Sequence, residues 1–196
     1  MDFDFEKESK KNDLKKALFK IFIWIVQIAF VIFLAYFITH FTLEKTNMLG
    51  DSMESTLENG EAILINKFTY HLKDPKRFDV IIFKETGKEH SYYNIKRIYG
   101  LPGERLQIKD DKIYIDGEII EEIVNVEPMA NYGLANEEIY LEENEYFVLG
   151  DNRNNSEDSR FASVGNIRRE NIIGKAFIRL SPFNFVNKLN LIPQDN

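Results

Sequence analysis

The pattern of apolar and polar positions divides the chain near residue 44. From Ile21 to Thr39, nineteen residues pass without a charge, and Ile, Phe, Val, Leu and Ala dominate. As a helix this run would be about 28 Å long, close to the hydrocarbon thickness of a bilayer. Trp24 lies near its inner end, with Tyr36 and His40 near its outer end, the depths that amphipathic rings prefer. Gln27 is its one strongly polar interruption. A cleaved signal peptide would carry a shorter run ending in small residues, whereas Phe37-Ile38-Thr39-His40-Phe41 is bulky. The pattern predicts an uncleaved anchor over residues 21–43. Lys10, Lys11, Lys15, Lys16 and Lys20 crowd its N-terminal flank. Membrane orientation follows Lys and Arg rather than net charge, so residues 1–20 are expected to stay cytoplasmic and the rest of the chain to lie outside.

Beyond residue 44 the period changes. Ala62-Ile63-Leu64-Ile65-Asn66 and Val80-Ile81-Ile82-Phe83 are short runs rich in β-branched residues and read as strands. Residues 105–109 alternate in strand fashion, Asp110-Asp111 turns, and Lys112-Ile113-Tyr114-Ile115 returns. Asp116-Gly117 then signals a tight turn into Glu118-Ile119-Ile120, completing a meander. Tyr146 to Leu149 and Ala176 to Leu180 read as later strands, with one helical turn over residues 168–171. The stretch 121–144 is acidic, weakly patterned and expected to be loop-rich. The tail from Ser181 is too interrupted by Pro and Asn for a second span. The expected fold class is mostly β: one N-terminal transmembrane helix followed by a β-rich domain over residues 44–196.

Composition narrows the chemistry. The net charge is -7 and there is no basic stripe, so nothing points to nucleic acid. There is no cysteine, which excludes disulfides, thiolate metal sites and cysteine nucleophiles. The sixteen Phe and nine Tyr are enough for a well-filled core in addition to the anchor.

Three stretches carry candidate chemistry. The first is Gly50-Asp51-Ser52-Met53-Glu54-Ser55-Thr56-Leu57, just past the anchor. A serine there reads equally as a turn or cap residue, and as a nucleophile it needs a base. The three histidines, His40, His71 and His90, sit at the membrane edge or in polar flanks, which suits surface positions. A lysine base must act as the neutral amine and so needs apolar surroundings. The second stretch, Asn94-Ile95-Lys96-Arg97-Ile98-Tyr99-Gly100-Leu101-Pro102-Gly103, offers Lys96 in a strand. Alternation puts Lys96 on the face of Ile98 and opposite Arg97, so that one of the two basic residues faces inward and the other reaches solvent. Locally, Lys96 also reads as an ordinary solvated lysine. The third stretch runs from Gly150 to Arg160. It fails the EF-hand pattern: from Asp151 the third position is Arg153, and from Asn152 the sixth is Glu157 and the twelfth Ser163. A solvated Asx-turn loop fits it. So does a pairing of Asp158 with Arg160, with Ser156 as hydrogen-bond partner of a buried amine.

Together these stretches resemble type I signal peptidase, the membrane-anchored serine protease that removes signal peptides from exported proteins. The resemblance runs from the anchor through Gly174-Lys175-Ala176. The family's Ser-Met-x-Pro-Thr-Leu is met by Ser52-Met53-Glu54-Ser55-Thr56-Leu57, and its Arg-Gly-Asp by Arg77-Phe78-Asp79. Its lysine motif is met from Lys96 to Glu104, and its Gly-Asp-Asn-x-x-x-Ser-x-Asp-Ser-Arg in full from Gly150 to Arg160. The short chain with one anchor resembles the Gram-positive form.

The resemblance implies Ser52 as nucleophile and Lys96 as general base, with no metal and no cofactor. Ser156 would orient the amine, and Asp158 and Arg160 would form an ion pair behind the site. Met53, Arg97, Gly150 and Asp151 are carried over as supporting residues of the matched motifs. The Ser52 N–H would serve the oxyanion. Some relatives carry a serine hydroxyl donor where Gly50 stands, so a second donor here must be backbone or water. Ser55 in place of proline is expected to loosen the turn, Phe78 in place of glycine adds bulk, and Glu104 in place of aspartate costs little. The implied partners are the lipid bilayer and exported preproteins with small residues at -1 and -3. A Ser–Lys protease with few clients, in pilus assembly or self-cleavage, also fits these motifs. So does a non-catalytic anchored β-scaffold, although the presence of both Ser52 and Lys96 argues against it.

Overall fold

The structure is a computed structural model. It describes residues 2–84 and 93–192, with only the helical backbone described for 2–14 and 39–41. His90 and the His40 side chain lie outside the described residues; His71 is exposed.

The chain forms two compact units, Met1–Thr42 and Leu43–Asn196. The first is one helix, α1 (Asp2–Thr42). It runs on through the charged N-terminal stretch, where Lys, Glu and Asp without Gly or Pro leave nothing to stop it. Its segment Lys15–Ile38 contains an 18-residue window of mean hydropathy 2.7 and is long and apolar enough to cross a membrane.

The second unit is mostly β. Its larger sheet holds β1 (Leu43–Asn47), β2 (Ala62–Asn66), β3 (Val80–Phe83), β4 (Asn94–Gly100), β9 (Glu145–Leu149), β10 (Ile167–Arg168) and β11 (Ile172–Leu180), with β12 (Phe183–Phe185) paired to β11. The spatial order is β1-β2-β11-β3-β4-β9-β10. The smaller sheet holds β5 (Arg105–Lys109), β6 (Lys112–Ile115), β7 (Glu118–Ile120) and β8 (Ile139–Tyr140), in the order β7-β6-β5-β8. It contains the meander expected from the alternation. Asp110 and Asp111 in one turn, and Asp116 and Gly117 in the next, all have positive φ. Two left-handed residues give the turn whose twist matches paired strands, and Asp and Gly tolerate that conformation.

Residues 121–144 are largely irregular, with one short 3-10 turn (Gly133–Asn136) and β8. The helical turn expected near 168–171 is a 3-10 turn, Arg169–Asn171. The edge strand β1, Leu-Glu-Lys-Thr-Asn, gave no apolar signal because its side chains are only partly covered. Hydrogen bonds to β2 along its whole length define it.

Burial falls into three apolar clusters. One packs Met48, Met53 and Leu57 against Ile63, Ile65 and Ile82 of the large sheet. It thereby seats the turn that carries Ser52. A second fills the space between the sheets around Tyr99, Leu106, Leu141 and Phe147. The third covers the other side of the large sheet with Ile81, Phe83, Ile98 and Val148.

Candidate active site

Ser52 sits in a tight turn after β1. The turn is closed by Glu54 N–H to the Asp51 carbonyl (3.0 Å) and by the N–H groups of Thr56 and Leu57 to the Met53 carbonyl. Met53 is fully buried and pins the turn to the core, while Ser52 stays half-buried beside it. Gly50 takes a positive φ of 79°, a conformation open to glycine at no steric cost. Its N–H donates to Asn59 Oδ1.

Lys96 comes from the middle of β4, paired to Ile81 of β3. It is 4% exposed, and its Nζ lies 2.5 Å from Ser52 Oγ. The expected alternation is corrected at its neighbour. Arg97 does not reach solvent; it is fully buried. The opposite face of β4 is covered too, because the second sheet and the Gly150–Arg160 loop pack there. Arg97 forms a two-pronged pair with Asp151, Nε to Oδ1 at 2.9 Å and an amino group to Oδ2 at 2.6 Å. Thr56 Oγ also donates to Asp151 Oδ2, at 2.5 Å. Burial opposes the Arg97 charge, but the hydrogen bonds and charge of Asp151 prevail and hold the guanidinium above its ordinary range.

β4 and β9 run antiparallel with Arg97 opposite Leu149. Continuing that register by one residue sets Gly150 opposite Lys96. A Cβ at Gly150 would lie 2.2 Å from Ser156 Oγ and 2.4 Å from the Ser52 carbonyl oxygen. The missing side chain is what lets the Ser52 turn and the Ser156 loop meet beside the lysine. Ser156 lines the same cleft as Ser52 and Lys96, about 620 Å³ in volume, and its hydroxyl donates to Asp158 Oδ2 at 2.8 Å. Asp158 is buried and also accepts from Gly150 N–H and from Arg160 through both prongs. The pairing of Asp158 with Arg160 is thus present, and its carboxylate links Ser156 to the backbone of Gly150.

Several residues of this network carried no signal in the sequence. Arg153 is buried, donates to the Gly150 carbonyl and to Tyr99 Oη, and pairs with Glu122 at 2.6 Å. Its guanidinium also lies over the Tyr99 ring, 4.9 Å from the centroid. Burial pushes the Tyr99 hydroxyl well above its ordinary range; Glu122 and Asp151 add to this and Arg153 opposes it. Glu122 comes from the stretch read only as an acidic loop. Asn152, a fixed position of the matched motif with no role assigned from sequence, also reaches the Ser52 turn. Its N–H donates to the Ser52 carbonyl at 3.1 Å and its side-chain amide to the Asp51 carbonyl at 3.1 Å. Composition within one stretch cannot reveal such pairs, because the partners lie about 30 to 100 residues apart.

The departures find physical explanations. Phe78 and Asp79 together face Ile98: Phe78 N–H donates to the Ile98 carbonyl and Ile98 N–H to the Asp79 carbonyl. This is a bulge at the start of β3, and Phe78 has φ 68°. A left-handed first bulge position favours glycine. The Phe78 ring stacks edge-on against Tyr99 with centroids 5.5 Å apart, which offsets the backbone strain. Ser55 has φ 78° and its Oγ accepts from Asn190. A proline ring cannot take that φ, so the turn is held by the C-terminal tail instead. Glu104 grips Arg77 with both carboxylate oxygens and caps Leu101 N–H.

A mostly-β domain in which a buried amine meets a serine hydroxyl is the makeup of a serine hydrolase. The chain belongs to the signal peptidase family, peptidase S26, whose family model matches residues 21–181. It is 32% identical to the signal peptidase I of Bacillus licheniformis over 192 residues, covering 92% of this chain and 98% of that one. It is 36% identical to signal peptidase I T of Bacillus subtilis (strain 168) over 173 residues, covering 82% and 86%. A solved signal peptidase I from Enterococcus faecalis V583 is 33% identical with a TM-score of 0.43, covering 53% of this chain and 97% of that one.

Proposed function

We propose that the chain removes signal peptides from exported preproteins by acyl transfer, with Ser52 as nucleophile and Lys96 as general base. The observation that carries this reading is the 2.5 Å approach of the buried Lys96 amine to Ser52 Oγ. Membership of the signal peptidase family supports it.

In the first step the neutral Lys96 amine takes the Ser52 proton as Oγ attacks the scissile carbonyl. The tetrahedral oxyanion collapses, the leaving amine takes a proton from Lys96, and an ester acyl-enzyme remains. A water then gives its proton to Lys96 and attacks the ester, and the returning proton restores Ser52. This is the Ser–Lys form of acyl transfer. Asp158 accepts from Ser156, which leaves the Ser156 oxygen lone pairs free to receive a hydrogen bond in the shared cleft and orient the amine. Arg97, Asp151 and Arg160 hold the two loops that frame the pair.

Residues 21–43 serve as a single membrane span, with residues 1–20 cytoplasmic and residues 44–196 extracytoplasmic, supported by the lysines on the N-terminal flank. Anchoring concentrates the enzyme at the surface where a signal peptide's apolar segment lies. The substrate adds as an extended strand, with main-chain bonds for affinity and small side chains at -1 and -3.

The test is cleavage of a labelled preprotein with an Ala-x-Ala site by the full chain in detergent. Wild type cleaves, and Ser52→Ala and Lys96→Ala do not, while all three unfold at the same temperature. Cleavage retained in Lys96→Ala would remove the lysine from the mechanism, and an intact Ala-x-Ala preprotein would point to a narrow client set.

A further inference from the structure

The Ser52 N–H can stabilise an oxyanion only if the Asp51–Ser52 peptide is held in one orientation. That peptide is trans, since the one cis bond among the described residues is Ser181–Pro182. In a trans peptide the carbonyl and the following N–H point in opposite directions. Whatever holds the Asp51 carbonyl therefore aims the Ser52 N–H. Two donors meet that oxygen: Glu54 N–H, within the turn, and Asn152 Nδ2 at 3.1 Å, from the Gly150–Arg160 loop. The second hydrogen of the same amide goes to Glu54 Oε2 at 2.9 Å. With a carbonyl and a carboxylate both facing it, this end of the Asn152 side chain must be the NH2 group. Asn152 N–H also takes the Ser52 carbonyl at 3.1 Å, which fixes the next peptide plane. Among the described residues the Ser52 N–H itself meets no protein acceptor. It is left available on the side away from Asn152.

We infer that Asn152 is a positioning residue for catalysis: its side-chain amide holds the Asp51 carbonyl and so orients the Ser52 N–H for the developing oxyanion. The inference rests on the reading of Ser52 as nucleophile. Asn152 touches no reacting atom. Its effect falls on the transition state, where the oxyanion forms, and leaves ground-state binding alone. Errors of about 1 Å at a reacting centre cost on the order of a hundredfold. The turn's own Glu54 bond survives without Asn152, so the loss from removing the amide is smaller, about tenfold to thirtyfold in kcat. Asn152→Asp is worse, because a carboxylate then faces both the Asp51 carbonyl and the Glu54 carboxylate.

The experiment compares wild type, Asn152→Ala, Asn152→Asp and Ser52→Ala as full chains in detergent. It reads kcat and KM on a preprotein peptide, the inhibition constant of the matching peptide aldehyde, and the unfolding temperature. The aldehyde adds Ser52 Oγ to its carbonyl carbon, and its oxygen takes the oxyanion position of the resulting hemiacetal. In Asn152→Ala we expect kcat to fall about tenfold or more, KM to stay within about twofold, and aldehyde affinity to fall in step with kcat. The unfolding temperature stays put. Unchanged kcat, a change confined to KM, or a loss of kcat with aldehyde affinity intact overturns the inference. If Asn152→Ala does not fold, Asn152→Asp is judged by the same ratio of kcat to aldehyde affinity, and its failure to fold as well would make Asn152 structural and overturn the inference. An active Ser52→Ala refutes the underlying reading of Ser52, whereas a dead Ser52→Ala beside a normal Asn152→Ala refutes only the role of Asn152.

Discussion

The Gly150 α-carbon and the Ser52 carbonyl stand so close that a Cβ on Gly150 would lie 2.4 Å from that oxygen. The same atom would meet Ser156 Oγ at 2.2 Å. Gly150→Ala must therefore push the Ser52 turn or the Ser156 loop out of place. The expected outcome is a drop in kcat of about a hundredfold or more, from displacement of groups at the reacting centre. The check is steady-state cleavage of a preprotein peptide, alongside thermal unfolding to confirm that the variant is folded. Near-normal kcat in a folded Gly150→Ala would mean that the close approach is not needed.

Arg97 and Asp151 form an ion pair with both side chains shut off from solvent. Arg97→Ala strands the carboxylate inside the protein. Removing one partner of a buried pair costs about 3–5 kcal/mol. A denaturant titration of the full chain in detergent should show that loss, with cleavage falling as well because Asp151 is bonded to Thr56 of the Ser52 turn. A loss below about 1 kcal/mol would show that water reaches the pair.

Phe78 sits in left-handed backbone, with its ring against Tyr99. Two substitutions separate these effects. Phe78→Ala loses the ring and keeps a Cβ in strained backbone, whereas Phe78→Gly loses the ring and relieves the strain. Phe78→Gly should therefore be the more stable of the two by about 1 kcal/mol, the cost of a left-handed Cβ. The difference is read from midpoints of urea unfolding, and the reverse order would refute the strain.

Tyr70 and Tyr99 carry a pH prediction. Burial first, then the charge of Asp79, push the Tyr70 hydroxyl far above its ordinary range, and Tyr70 donates to Asp79. Tyr99 is pushed the same way, by burial before all else. Unfolded tyrosine ionises near about 10. A group whose folded value is raised gives stability that is complete below the unfolded value and is lost as pH rises from there toward the folded value. The fold should hold to about pH 10 and weaken above it. Tyrosinate absorbance of these two residues should appear only together with unfolding. Their titration near the ordinary value, with circular dichroism unchanged, would refute it.

Much of this protein was legible from local pattern. The apolar run before residue 44, the β-branched strands and the Asp-Gly turn each depend on neighbours within a few residues, and the structure repeats them with small shifts of boundary. Ser52, Lys96 and the Gly150–Arg160 loop stood out because their motifs occur in one order along the chain. Local pattern failed where burial was decided from afar. Alternation assigned one of Lys96 and Arg97 to solvent, but a strand covered on both faces buries both. Arg153 and Glu122 had no signature, and Asn152 stood in the matched motif with no role legible, since each acts on a residue far along the chain. Phe78 in place of glycine looked like surplus bulk until the bulge and the Tyr99 ring gave it a place. The sequence by itself determined most of the elements and the family, because those follow from local periodicity and motif order. Only the tertiary structure decided which charges are buried, which peptide planes are held and how closely serine meets lysine. Those are set by what the chain brings together across strands β4 and β9 and their loops.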